Sequence, residues 1–285
     1  MPPLLLRKAE RRAMRIILSR KGFDSSFGGC PSPILEGCPI SLPIPTKQPT
    51  TTTFADLRDP IPQMVAALTR GRLTPEHPCH LDPDIETSAL PERLSGWRGA
   101  LGQVAAARAH LANQRVGPGD LFLFWGLFRP VEQREGRWRY ISKPVHAVFG
   151  WLQVAEVYEN PGGGPLSACP WLQGHPHVQD GWNDNNTIFV GQEALTISQS
   201  PLPGFGVLRT PFALTAPDAP SPSLWHVPDW LHVREGGCGM TYHPAQRWLK
   251  GGRVRSAARG QEFVADVSSH PDALEWAAGL IEAHL

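Results

Sequence analysis

Apolar runs along the chain are short, and polar turns containing proline or glycine cut them apart. Ile16-Ile17-Leu18 gives way at once to Ser19-Arg20-Lys21-Gly22-Phe23-Asp24-Ser25-Ser26, which reads as a strand ending in a polar loop. Residues 40–44 alternate as a half-buried strand, and Pro62 opens a short helix through Leu68 that Gly71 ends. Over residues 97–114, Leu101, Val104, Ala105 and Leu111 recur at helical spacing, with Arg108 as a polar exception, so the clearest helix is predicted there. Gly117-Pro118-Gly119-Asp120 stops it, and Leu121-Phe122-Leu123-Phe124-Trp125 reads as a buried strand. A basic hairpin leads to residues 145–157, a long strand kinked or bulged at Gly150. Residues 158–186 are loop-like and contain His175-Pro176-His177. Strands follow at 187–190 and 261–265, and a last helix starts at Ser269-x-x-Asp272 with Leu274, Ala277, Ala278, Ile281 and Leu285 as its stripe.

This pattern predicts an α+β fold: an antiparallel or mixed sheet, or a small barrel, with flanking helices and long Pro/Gly-rich loops. Residues 14–285 read as a single domain. Residues 1–13 are basic and carry no pairing pattern, and Met14 directly precedes the first strand. They are expected to be a disordered or mis-assigned N-terminal extension.

Composition adds little that is specific. The 285 residues are 41% hydrophobic, enough for a sizeable core, and 30 prolines with 28 glycines imply many turns rather than a helical bundle. A formal net charge of +1 argues against a sequence-blind duplex binder. Five scattered cysteines without a paired motif indicate neither a disulfide framework nor a ribbon-type zinc site. No stretch approaches a membrane span, so a cytoplasmic protein is expected. Ten tryptophans, among them Trp125, Trp182 and Trp225, are either wedges in an irregular core or platforms for a flat ligand.

The candidate chemistry lies in four places. The 19–26 loop offers Ser19, Arg20, Lys21, Asp24 and Ser25 to an anionic or polar ligand, or is a surface turn capped by Asp24. His80, Asp82 and Asp84 alternate along a proline-fixed segment, as ligands of a divalent metal, as an acid/base pair, or as a double turn. Arg129 at a strand end is placed to grip a phosphate or to pair with Glu132 or Glu156, and His146 sits on an otherwise apolar strand, where a core role competes with catalysis. Gln261 and Glu262 occupy adjacent strand positions, so one of them must point inward to a polar network. Phosphate-binding glycine loops, the dinucleotide fingerprint, the zinc-deaminase signature and a nucleophile elbow are all absent from the sequence.

The 19–25 loop, His80 to Asp84, Gly117 to Gly126, the 146–154 segment and Gly260 to Val264, taken in order, resemble the third type of nucleotide modification associated domain, over the whole chain from Met14. That resemblance implies a bacterial or phage setting in which nucleobases are modified, with a nucleotide or nucleic acid as partner and a protein partner as an alternative. In an enzyme of that kind, Arg20, Lys21 and Arg129 would hold phosphate. Asp24, His80, Asp82, His146 or Glu262 would move protons or ligate metal. A reader of modified bases would instead use Trp125, the 19–26 loop and Gln261. A weaker likeness of the helix–turn–strand segment to PUA-like and ASCH-like barrels, which bind RNA or modified bases, is one of fold alone.

Overall fold

The computed structural model describes residues 14–48, 50–160, 169–178, 185–258 and 260–285. The N-terminal half holds β1 (Arg15–Arg20), β2 (Ser32–Leu35), β3 (Cys38–Pro39), β4 (Ile44–Pro45), α1 (Ile61–Leu68), β5 (Cys79–His80), β6 (Ala100–Val104), α2 (Ala105–Asn113), β7 (Leu121–Arg134) and β8 (Arg137–Tyr140). After these come β9 (Val145–Glu159), β10 (Asn186–Gly191), β11 (Phe205–Ala213), β12 (Leu224–His226), β13 (Trp248–Leu249), β14 (Arg253–Arg255), β15 (Glu262–Asp266) and α3 (Pro271–His284).

Ten strands form one mixed sheet with the order β15-β1-β7-β9-β10-β6. β11 also pairs with β9, β2 and β8 pair with β7, and β3 pairs with β2. The β1–β7 and β2–β7 pairs are parallel and the others antiparallel. The first eight residues of β7, Leu121 to Phe128, are apolar without interruption because both faces of the sheet are covered there. Ile16, Leu18, Leu121, Leu123 and Trp125 join a core with α3 and the small β12-β14-β13 sheet. Ile17, Phe122, Phe124 and Phe128 point the other way, into a core that includes Leu111 of α2. A third core, built on Phe23, Phe54, Met64 and Val65, holds α1 against the loop after β1.

The structure bears out the first strand, the helix after Pro62, the turn at 117–120 and the strands that follow it. The register of β9 against β7 skips Phe149, beside the glycine where a bulge is predicted. Residues 97–114 differ from expectation. Only 105–113 are helical, while 100–104 are a strand paired with β10. The apolar spacing there mixes two periods: Leu101 is buried as a strand residue, and Ala105, with φ at +50°, marks the break between strand and helix. Residues 40–44 supply only Ile44 to a strand, which pairs with β5. The last helix begins at Pro271 after His270, with no side-chain cap bond.

The sheet is not a closed barrel, and the PUA-like expectation is corrected accordingly. Its end strands, β15 and β6, share no backbone pairing. They nevertheless approach each other, because Gln103 of β6 donates a hydrogen bond to Glu262 of β15 at 2.7 Å. The sheet curls almost to closure, and side chains bridge the seam.

Candidate functional site

A cavity of about 260 Å³ opens at that seam, lined among others by Arg20, Lys21, Asp24, His80, Asp82 and His177. Backbone pairing fixes its floor. Arg20 N donates to Gln261 O at 2.8 Å and Lys21 N to Trp125 O at 2.8 Å, so the end of β1 is held between its two neighbours. Gly22 then turns the chain with φ at +78°, where a Cβ would meet Ser41 Oγ at 2.8 Å.

Glu262 lies behind the cavity lining, bonded to Lys21 and Gln103 of its wall, and is fully buried. Its Oε1 accepts from Gln103 Nε2 at 2.7 Å, Ser19 Oγ at 3.0 Å and Lys21 Nζ at 3.4 Å. Its Oε2 is buried and has no hydrogen-bond partner among the described residues. Burial raises this carboxyl's pKa, against the opposing pull of the Lys21 charge and the Ser19 and Lys21 hydrogen bonds. With three donors on Oε1, a proton held by Glu262 resides on Oε2.

Lys21 Nζ also stands 3.9 Å from Asp82 Oδ2. Asp82 Oδ1 accepts from Gly102 N at 2.6 Å, and His175 Nε2 lies 3.5 Å from the same oxygen. Burial disfavours ionisation of Asp82 as well. There the His175 contact, the Lys21 charge and the neighbouring histidines outweigh it and hold the carboxyl below its usual range. Two carboxylates sharing one lysine are thus driven apart, Asp82 toward the anion and Glu262 toward the acid, which is the pattern that separates an acid from a base.

Beside Asp82 stand two imidazoles whose Nε2 atoms are 3.1 Å apart, those of His80 and His177. Burial lowers their pKa values to about 4 and about 3 respectively, so both rings are neutral at pH 7. Asn186 Nδ2 donates to His177 O at 2.6 Å, which turns its Oδ1 toward His177 Nδ1 at 2.9 Å. Nδ1 therefore carries the proton and Nε2 presents its lone pair.

His177 fits because position 102 is glycine: a Cβ there would lie 2.1 Å from the imidazole ring. Gly102→Ala is expected to expel the ring and destabilise the protein by about 1–3 kcal/mol. Thermal denaturation, with the His177 ring resonances followed by NMR, checks this. Unchanged stability with unshifted resonances would show that the ring has room.

Asp24 organises the loop above. Its Oδ1 accepts from the backbone N–H groups of Ser26 at 2.6 Å and Phe27 at 2.9 Å, and its Oδ2 pairs with the Arg20 guanidinium at 2.5 Å. Phe27, 42% exposed, lines the rim together with Gln261, while Ser25 is exposed on the same loop.

Several residues singled out in the sequence lie elsewhere. Asp84 is held by a bidentate pair with Arg93, 2.7 Å for each bond, and by Trp97 Nε1 at 3.2 Å. Arg129 donates to Ser142 O and stacks on Tyr140 at the β7–β8 hairpin. His146 accepts from Trp225 Nε1 at 3.0 Å and packs on Trp125, and burial lowers its pKa to about 4. Trp125 and Trp225 are core residues, and Trp182 lies outside the described residues. Of the groups that complete the site, His177 stood in the sequence only as part of a histidine pair in a loop. Gln103 lay hidden in a segment that reads as helix.

Among the described residues, no helix is long and apolar enough to cross a membrane. The family described as nucleotide modification associated domain 3 matches residues 15–266, from β1 through β15. No curated protein and no solved structure gives a significant match.

Proposed function

We propose, because this chain belongs to the nucleotide modification associated domain 3 family, that it is an enzyme acting on a nucleobase or nucleoside held in the seam cavity. The observation that carries this reading is the convergence of Lys21, Asp82, Glu262, His80 and His177 beneath one small cavity. Burying so many ionisable groups costs stability, and their protonation is pushed in opposite directions. In this reading Asp82, in the cavity wall, remains the anion, Glu262 behind it carries the proton, and Lys21 balances the charge between them.

The charge of the site favours a base over a phosphate as the occupant. Arg20 and Lys21 are both already paired with carboxylates, Arg20 with Asp24 and Lys21 with Asp82 and Glu262. Two cations facing three acids leave no surplus positive charge for a triphosphate. The cavity volume falls just under the ~300–1,000 Å³ of drug-sized ligand sites, which suits a single base or nucleoside. A reader that stacks bases on tryptophan is less well supported, since Trp125 and Trp225 are buried in the core and the rim aromatic is Phe27.

The test is incubation of the protein with nucleosides, nucleotides and short oligonucleotides, with mass spectrometry of the products. A mass change that falls about 10²–10⁴-fold in Asp82→Asn, with nucleoside binding retained, is the expected result. Binding without any product would make the protein a reader, and the absence of both would end the nucleotide reading.

A further inference from the structure

We propose that His80, Asp82 and His177 form a binding site for one divalent transition-metal ion, with its remaining coordination positions open to the cavity. The three residues offer one donor atom each, and these atoms lie within 4.8 Å of one another. The two imidazole Nε2 atoms, 3.1 Å apart, have the separation of adjacent ligands around an ion that binds nitrogen at about 2.0–2.1 Å. Asp82 Oδ2 is 4.0 Å from His177 Nε2. Two histidines and one carboxylate on one side of an ion are a donor set for iron, cobalt, nickel, manganese or zinc, whereas calcium and magnesium prefer all-oxygen sites.

The surroundings are those of a ligand set held in place. Asn186 fixes the His177 tautomer so that Nε2 faces inward, the outer hydrogen bond that metal-bound histidines commonly make. Gly102 N holds Asp82 Oδ1 and leaves Oδ2 turned toward His177 and Lys21. His80, Asp82 and His177 all line the cavity wall, so an ion there would meet whatever enters. Three protein ligands with open positions are the arrangement of catalytic sites, whereas structural sites are closed by four. The trio differs from the one the sequence pattern offers. Asp84, two residues beyond Asp82, is captured by Arg93 and Trp97, and its place is taken by His177 from a loop that follows β9.

This proposal stands apart from the nucleotide reading, and its test contains no nucleotide. Metal-stripped protein is titrated with Co²⁺ and with Zn²⁺, followed by calorimetry, by the visible cobalt spectrum and by thermal denaturation. Expected are one ion per chain, a cobalt spectrum without thiolate charge transfer, and a higher melting temperature with metal. Asn186→Ala should weaken binding about 10–100-fold and His177→Ala by more than that, while Asp84→Asn leaves it unchanged. No binding by folded wild-type protein would overturn the proposal. So would a thiolate band, or binding that survives both His80→Ala and His177→Ala. The wild-type spectrum decides the question even if a histidine variant fails to fold.

Discussion

Replacing Lys21 by methionine is expected to destabilise the protein by about 3–5 kcal/mol, because it leaves two buried carboxylates without their shared cation. Lys21 is 3.4 Å from Glu262 and 3.9 Å from Asp82, and the lysine and both acids are almost wholly withdrawn from solvent. The loss should depend on pH in a definite direction. Glu262 already has a raised pKa, and removing the neighbouring positive charge raises it further. A carboxyl whose folded pKa exceeds its unfolded value costs stability above that pKa, and the cost fades as pH falls through it. The gap between Lys21→Met and wild type should therefore be wider at pH 8 than at pH 5. Combining Lys21→Met with Glu262→Gln should recover part of the loss, since a neutral amide keeps the Oε1 contacts without the charge. Urea denaturation of the four proteins measures all of this. A gap below about 1 kcal/mol that does not change with pH would mean that the lysine is not the counter-ion of the seam.

Mild acid is expected to destabilise the protein before most of its carboxylates titrate. Burial holds His80, His146 and His243 at a pKa of about 4 and His177 at about 3. An unfolded chain binds a proton at each near pH 6.5, whereas the folded one refuses it. The stability these neutral rings represent is fully present above pH 6.5 and is lost as pH falls toward 4. The unfolded state gains up to about 1.4 kcal/mol per group for each pH unit in that window. Four such groups should lower the melting temperature by at least about 10 °C between pH 7.5 and pH 5.0, with chelator present. Glu262 works in the opposite direction, and one raised carboxyl does not offset four depressed imidazoles. A melting temperature that stays level across this range would show that the rings are reached by solvent.

The sequence carried the central strands plainly because they are apolar on both faces. Ile16-Ile17-Leu18 and the run from Leu121 to Trp125 need no context to read as buried strands, and the turn at 117–120 bounds the second of them. Where one residue served two periodicities, the pattern misled. Leu101 and Val104 fit a helical stripe, yet they belong to β6, where Gly102, and Gly99 just before the strand, are needed for close packing against His177 and Phe205. The site divides the same way. Ser19, Lys21, His80, Asp82 and Glu262 were all visible as polar groups in unexpected settings, and the inward-pointing member of the 261–262 pair is Glu262. Its partners are a lysine, a serine and an amide. His177 and Gln103 could not be assigned because nothing local to them says what they face. Tertiary packing alone brings β6 and the loop after β9 to the end of β1. Arg129 and His146 show the converse: each looks functional in its own strand, and each is satisfied by a neighbour, Arg129 by Ser142 across the adjacent hairpin and His146 by Trp225, 79 residues away.

The seam between β6 and β15 bears on how the protein is made. The hydrogen bond from Lys21 to Glu262 spans 241 residues. At the roughly 5–20 residues per second of protein synthesis, the lysine leaves the peptidyl-transfer centre about 12–50 s before the glutamate is added. Until then β1 has only β7 beside it, Arg20 N lacks its acceptor on Gln261, and the buried acid behind the cavity wall does not exist. A nascent or prematurely terminated chain therefore carries the histidines and Asp82 but not the acid behind them. The cavity is structurally incomplete until the ribosome has delivered β15.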